Sequence, residues 1–168
     1  MSGHVFVDES KDRGYLQVGA ALVSGDLVNA RRAIRSLILP RQRRLHFKQE
    51  SDARRGAIIG VILGLGVQII IYDAASADNE KTARRACLIE LVADLAKNAA
   101  HRVVIERDDS VMDFDKRLLY REVRAAGVAD TLRYDHMRAH EECLLAIPTP
   151  WHGAGPRAAG GGPRSRPL

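Results

Sequence analysis

Residues 4–12, HVFVDESKD in one-letter code, join a short apolar run to a cluster of acids. Residues 5–7 are β-branched or aromatic and predict a buried strand. The acids that follow directly are Asp8, Glu9 and Asp12. Acids at a strand end often form turns, but carboxylates are also the ligands that Mg²⁺ and Mn²⁺ prefer. The rest of the chain decides between a turn and a metal site.

The composition is that of an ordinary globular protein. The chain has 168 residues, 46% of them hydrophobic and 28% charged, which suits one domain with a real core. Cys87 and Cys143 lack CxxC spacing, so we expect buried thiols, no zinc site and no disulfide-linked partner. No signal peptide is recognisable, so a reducing cytoplasm is the expected compartment.

Periodicity and turn signals predict a hairpin followed by alternating helices and strands. Strands are predicted at residues 5–7, 15–23, 67–72, 102–106 and 131–137, with a short extended segment at 45–47. Helices are predicted at about 27–39, 52–64, 79–98 and 113–126. This order predicts an α/β fold with a mixed sheet, antiparallel at its start and parallel where helices cross over.

The apolar stretch at residues 56–72 has an alternative interpretation as a membrane span. It is shorter than the roughly 20 residues that a bilayer core requires, and it contains Gln68 and three glycines. A buried helix, a turn and a buried strand account for it better, so no membrane association is predicted.

Three predicted strand ends carry acids: Asp8 with Glu9, then Asp73, then Glu106. Carboxylates that converge raise one another's pKa unless a cation neutralises them. Two Mg²⁺ or Mn²⁺ ions about 3.5–4 Å apart would activate a water and stabilise the leaving oxygen in phosphodiester cleavage.

The stretch FVDESKD, followed by the strand YLQVGAALV, resembles the opening of the bacterial family called domain of unknown function 3800. The family's lead aspartate matches Asp8, its next acid and serine match Glu9 and Ser10, and Lys11 stands where glycine is usual. The resemblance implies a ribonuclease H-like fold and metal-dependent nuclease chemistry, in which Asp8 bridges the metals.

RLHFK resembles the family's second signature, a Glu-x-His element. His46 matches the histidine, Arg44 stands where the glutamate would be, and Glu50 is a candidate substitute. A lone histidine between apolar neighbours is also commonly a satisfied polar group, and that alternative stays open for His46.

Basic residues are concentrated between positions 31 and 55, a stretch that contains nine of them and only two acids, Glu50 and Asp52. Such a patch either binds the phosphates of DNA or RNA or is a solvated helix face, and the sequence leaves both open. The candidates for nucleic-acid contact are Arg41, Arg43, Arg44, Lys48, Arg54 and Arg55.

The composition changes abruptly after Pro148. Residues 1–148 are predicted to form a single domain, and residues 149–168, rich in Gly, Pro and Arg, a disordered tail. One set of codons for residues 149–157, shifted by a single base, reads Asp-Ala-Val-Ala-Trp-Cys-Trp-Ala-Lys, which resembles the family's closing helix. In the family that helix supplies an acid to the site. Here Thr149 stands in its place, so a frameshift and a lost ligand are predicted.

The sequence therefore predicts a Mg²⁺- or Mn²⁺-dependent nuclease that is weakened or inactive. The predicted catalytic residues are Asp8, Glu9, His46 and Glu50, and the predicted metal ligands are Asp8, Asp73 and Glu106. The alternative is a non-catalytic nucleic-acid-binding or interaction protein that keeps the ribonuclease H-like fold. Carboxylates within reach of one cation favour the enzyme, and scattered carboxylates favour the binder.

Overall fold

The computed structural model describes residues 3–12 and 14–153, together with the backbone of residues 164–167. Four α-helices and six strands are present in this part of the chain. The strands are β1 (Gly3–Ser10), β2 (Leu16–Val23), β3 (Gln68–Asp73), β4 (Arg102–Glu106), β5 (Arg133–Met137) and β6 (Arg164–Pro167). The helices are α1 (Leu27–Leu37), α2 (Asp52–Gly64), α3 (Glu80–Lys97) and α4 (Met112–Ala125).

The six strands form one mixed sheet in the order β5-β4-β1-β2-β3-β6. β1 pairs antiparallel with β2 and parallel with β4, and β4 pairs parallel with β5. The antiparallel pairing of β2 with β3 then makes β3 run in the same direction as β1. The predicted combination of an antiparallel start and parallel crossovers is therefore confirmed.

The two faces of the sheet carry separate hydrophobic cores. Val5 and Val7 pack with α3 and α4, whereas Phe6 packs with α1 and α2 on the other face. Successive side chains of a strand point to opposite faces, so Asp8 follows Phe6 and Glu9 follows Val7. This alternation separates the two neighbouring acids of the opening segment.

Local capping fixes the boundaries of the helices. The Ser51 side chain accepts a hydrogen bond from the Arg54 N–H at the start of α2, and Asn79 accepts one from Thr82 at the start of α3. Serine and asparagine are both preferred at the N-cap position. No helix among the described residues is long and apolar enough to cross a membrane.

The hairpin turn requires glycine at position 14. Its φ is +101°, and a Cβ atom there would lie 2.7 Å from the Cβ of Ala75. Both the backbone conformation and the close approach of the segment after β3 exclude a larger residue. Arg13, which belongs to the predicted turn, lies outside the described residues.

Two predicted boundaries are corrected by the structure. The segment at residues 45–47, predicted to be extended, does not join the sheet: residues 45 and 46 are irregular, and Phe47–Gln49 is a 3₁₀ helix in which Arg55 binds the carbonyl oxygens of Phe47 and Lys48. β1 extends to Ser10, three residues beyond the predicted end, so Asp8 and Glu9 lie within the strand rather than in the turn after it.

Part of the segment predicted to be a disordered tail has regular structure. Thr149–Trp151 is a 3₁₀ helix, and Trp151 packs against the core on the α1 and α2 side. The backbone of Arg164–Pro167 forms β6 along the edge of β3, where it occupies hydrogen-bonding groups that an edge strand leaves open. The rest of the predicted tail, residues 154–163 and 168, lies outside the described residues.

Candidate active site

Asp8 and Glu106 meet because their strands are adjacent and parallel. Val7 is paired with Ile105, so the next residue of each strand lies beside its counterpart. Both side chains point to the face that α1 and α2 cover, the same face as Phe6 and Val104. The two carboxyl groups are in hydrogen-bonding contact.

The pKa values of Asp8 and Glu106 are shifted in opposite directions. Burial, the hydrogen bond to Asp8 and the negative charge of Asp8 raise the pKa of Glu106 to about 8. Burial also acts to raise the pKa of Asp8, but the neighbouring His152 and the proton on Glu106 outweigh it, so this pKa is below its ordinary value. At neutral pH Asp8 is therefore ionised and Glu106 is protonated.

The pair lies at the wall of a cavity of about 380 Å³. One side is formed by residues 44–49, which connect α1 to α2. The opposite side is formed by the chain after β5, including Leu145, Ala146, Thr149 and His152. The cavity is thus bounded by two connecting segments and floored by strand ends.

Thr149 and His152 both reach Asp8 from the C-terminal side. The Thr149 hydroxyl donates to Asp8 Oδ2 at 3.3 Å. The His152 Nε2 atom lies 3.2 Å from the same oxygen, and neither ring nitrogen has a hydrogen-bond partner among the described residues. The His152 side chain is only 7% exposed, so these nitrogens are also shielded from water.

Glu9, which was also predicted to be catalytic, borders the cavity, but its carboxylate is bound by groups on the opposite face of the sheet. It accepts hydrogen bonds from the Tyr15 hydroxyl and from the guanidinium of Arg84 on α3. The same guanidinium forms a bidentate pair with Asp115 of α4, and His136 Nε2 lies 3.0 Å from Asp115. This buried polar network (Glu9, Tyr15, Arg84, Asp115 and His136) ties α3, α4 and β5 to the end of β1.

Asp73 was predicted to be a metal ligand, but the structure does not bring it to Asp8. It pairs with Leu16 of β2, which in turn pairs with Ser10, so a whole strand lies between Asp73 and β1. Two strand spacings amount to roughly 10 Å. Its carboxylate instead accepts the Ala75 N–H at 2.9 Å, the local turn bond typical of aspartate.

Of the two other predicted catalytic residues, only His46 lines the cavity. Glu50 lies outside it, with one carboxylate oxygen 2.9 Å from Arg54 Nε. Glu50, the candidate substitute for the family's glutamate, is therefore paired with Arg54 and does not line the cavity with Asp8.

The predicted basic patch divides into two groups. Arg54 and Arg55 are used internally, because they bind the carbonyl oxygens of Leu37, Phe47 and Lys48 that cap the connection between α1 and α2. The other group is exposed, and two of its members line the cavity: Arg44, which lies 3.4 Å from Glu106, and Lys48, which pairs with Asp12. Arg41 and Arg43 precede them in the same segment and form no ion pair with a described residue. Only this second group is placed to meet a ligand.

Among the described residues, no three His, Cys, Asp or Glu side chains are grouped so that they could hold a metal ion. The structure therefore assembles two of the predicted carboxylates, Asp8 and Glu106, and not a complete set.

Sequence reasoning missed Arg84, Asp115 and His152. Arg84 and Asp115 each lie one turn from apolar residues of their helices, and the sequence contains no signal that pairs the two helices. His152 lies in a segment whose composition predicts disorder, so nothing in the sequence indicated that its side chain would contact Asp8.

Comparison with solved structures supports the fold. The structure of the PCNA:RNase HII complex from Archaeoglobus fulgidus matches with a TM-score of 0.59 and 12% identity, over 90% of this chain and 71% of that chain. At this identity the likeness shows the fold alone, and it is consistent with the predicted ribonuclease H-like arrangement of the sheet and helices. No family model and no curated protein matches the chain, so the resemblance to domain of unknown function 3800 stays a prediction.

Proposed function

We propose that this chain is a Mg²⁺- or Mn²⁺-dependent phosphodiesterase for nucleic acid, weakened by the loss of one carboxylate ligand. The carboxyl pair of Asp8 and Glu106 is the observation that carries the proposal. Two acids on adjacent parallel strands, exposed to a cavity that cations surround, have no evident structural purpose and cost stability by their repulsion.

The residues present fit one divalent cation. Mg²⁺ is commonly held by one or two carboxylates together with substrate phosphates, and Asp8 and Glu106 supply that number of hard oxygen donors. When bound, such an ion would polarise a phosphoryl oxygen and lower the pKa of a water.

The chain's own groups would position the substrate. Arg44 and Lys48 at the cavity rim would bind phosphate oxygens, with Arg41 and Arg43 extending the contact along the backbone of the nucleic acid. Asp8, ionised at neutral pH, would orient the attacking water by accepting its proton in a hydrogen bond.

The weakened activity follows from the C-terminal segment. Thr149 lies beside Asp8, at the position where the resemblance places an acid, and a hydroxyl adds no negative charge to the site. A frameshift after Pro148 would explain this substitution, and sequencing the gene around that codon tests the explanation. Codons that do not yield Asp-Ala-Val-Ala in the shifted frame would exclude it.

A second candidate is a nucleic-acid-binding protein without catalysis. The observation that favours it is the lack of any three-ligand group among the described residues. Under this alternative, Arg41, Arg43, Arg44 and Lys48 would bind phosphates in the same way, and the carboxyl pair would have no role in chemistry.

A cleavage assay separates the two candidates. Single- and double-stranded DNA and RNA are each incubated with the protein and Mn²⁺, Mg²⁺ or a chelator, and the products are quantified. The enzyme hypothesis predicts slow, chelator-sensitive cleavage of at least one substrate. Binding to the same substrates without cleavage would identify the binder.

Asp8→Asn is the decisive variant. It should abolish metal-dependent cleavage, and it should also abolish any rise in Tm on addition of Mn²⁺. In the ion-free form it should cost little stability, because the charge of Asp8, which helps to raise the pKa of Glu106, is gone. An equal response to metal in the variant and the parent would contradict a role for Asp8 in metal binding.

A further inference from the structure

The feature that calls for an explanation is the buried imidazole of His152. The side chain is only 7% exposed, and both ring nitrogens are shielded from solvent. Neither nitrogen has a hydrogen-bond partner among the described residues. Leaving a buried polar atom unpaired costs stability, because the atom gives up its hydrogen bonds to water. Such a cost is typical of a group that is positioned for a ligand.

The orientation of the ring indicates which ligand. Nε2 lies 3.2 Å from Asp8 Oδ2, close enough to lower the pKa of Asp8 but outside the angular range of a hydrogen bond. Two donor atoms that bind one metal ion at about 2.1 Å and at right angles are about 3 Å apart. Asp8 Oδ2 and His152 Nε2 therefore have the separation of two ligands of a single ion.

We infer that His152 is a metal ligand that replaces the missing carboxylate, and that the site consequently prefers a first-row transition-metal ion to Mg²⁺. This inference rests on the proposed metal site of Asp8 and Glu106. Imidazole nitrogen is a common ligand of transition metals, whereas Mg²⁺ is held by oxygen donors. One histidine and two carboxylates thus form a donor set that discriminates against Mg²⁺.

The donor set is not pre-assembled. Glu106 lies 3.4 Å from Arg44, and no three donors among the described residues are grouped around one point. Asp8 is the common member, in contact with Glu106 on one side and with His152 on the other. Loading therefore requires the two outer donors to converge on the ion.

The inference is tested by measuring the coordination of Mn²⁺ itself, without substrate. The full chain is loaded with Mn²⁺, and nitrogen hyperfine coupling to the bound ion is recorded by pulsed electron paramagnetic resonance. Coupling should be present in the parent and absent in His152→Ala. The Mn²⁺ affinity should fall in that variant on the order of tenfold or more, as expected when a donor is removed, with a smaller change for Mg²⁺.

Two further variants keep the result unambiguous. His46→Ala removes the other imidazole of the cavity and should leave the nitrogen coupling intact. His152→Asp exchanges nitrogen for oxygen, so it should lose the coupling while Mg²⁺ affinity increases. If His152→Ala does not fold, His152→Gln is measured in its place.

The outcomes separate the inference from the proposed function. If Mn²⁺ binds, is lost in Asp8→Asn, and keeps its nitrogen coupling in His152→Ala, only the role of His152 is overturned. The same conclusion follows if the parent binds Mn²⁺ through Asp8 without any nitrogen coupling. If the parent binds no Mn²⁺ at all, the proposed metal site fails and the inference fails with it.

Discussion

At the scale of single residues, Glu106 controls how stability depends on pH. Its pKa is about 8 in the folded chain and near 4.5 when unperturbed, so the folded state holds a proton that the unfolded state releases. The stability is therefore full below about pH 4.5 and falls as the pH rises toward 8. Above pH 8 both states are ionised and the loss is complete.

We predict that Glu106→Gln removes this dependence. The variant should be more stable than the parent at pH 8 and above, by an amount on the order of 1.4 kcal/mol for each pH unit that separates the folded and unfolded pKa values, and the difference should vanish toward pH 4.5. Urea unfolding at a series of pH values, with chelator present, measures it. Asp8→Asn should move the transition to lower pH, because the like charge that raises the pKa is gone; an unchanged profile in both variants would refute the shared proton.

The site residues differ in how far the sequence could predict them. Asp8 and Glu106 were predictable because each follows a clear strand and β-strand ends collect functional groups. Asp73 follows an equally clear strand, yet β2 separates it from β1, and strand order is not encoded in local periodicity. His152 depends on the path of the chain after Pro148, which no local pattern specifies.

At the scale of secondary-structure elements, Arg84 joins α3 to α4 and to β1. Its guanidinium is 4% exposed and binds Asp115, which is fully buried, as well as Glu9. Burial acts to raise the pKa of Asp115, but Arg84 and His136 hold it below its ordinary value. Removing the guanidinium leaves the buried Asp115 without its arginine, whereas Glu9 keeps its ion pair with Lys11 at 3.3 Å.

We predict that Arg84→Met lowers the free energy of unfolding by about 3–5 kcal/mol, the usual cost of breaking a buried ion pair. The matched control is Arg85→Met on the same helix, whose side chain is exposed and should cost less than about 0.5 kcal/mol. Chemical denaturation at neutral pH measures both. Similar values for the two variants would show that the buried polar network adds nothing to stability.

The C-terminal 3₁₀ helix places Thr149 where one substitution tests the proposed loss of a ligand. Thr149→Asp adds a third carboxylate beside Asp8, so the ion-free protein should lose stability through repulsion. Mg²⁺ in hundredfold excess over its Kd should then add about 2.7 kcal/mol. Tm measured with and without Mg²⁺ tests this, and Thr149→Asn, of the same size and without charge, should show no gain.

Elements were predicted more accurately than their contacts. Ser51 and Asn79 were recognisable as the starts of α2 and α3, because capping depends on residues only three positions apart. Residues 45–47 were assigned to an extended segment because the sequence does not show that Arg55 binds the backbone there. β6 lies in a segment whose composition predicts disorder. It was not predicted because its pairing depends on the free edge of β3, which is distant in sequence.

At the scale of the whole molecule, the distribution of charge determines how nucleic acid would bind. The chain carries a net charge of +5, and the exposed cations near the cavity are supplied by the connection between α1 and α2. Each phosphate contact releases counterions, which makes binding weaken with salt.

We predict that Arg43→Ala combined with Arg44→Ala reduces affinity about equally for all sequences. The slope of log affinity against log salt should become shallower by roughly 0.7–0.9 for each phosphate that the variant no longer neutralises. The charge-matched control is Arg121→Ala with Arg124→Ala on the exposed surface of α4, across the sheet from the cavity. Equal slopes in the parent and both variants would leave the basic residues as a solvated surface only.

Because side chains alternate between the two faces of β1, substitutions of Asp8 and of Glu9 should have different consequences. Asp8 faces the cavity, whereas Glu9 faces Arg84 in the interior between the sheet and α3. In a pooled library of variants, Asp8 substitutions should be depleted by a screen for activity but keep normal cellular abundance. Glu9 substitutions should lose abundance first. An insertion of one residue within β1 would exchange the two side chains between faces and be lost in both screens.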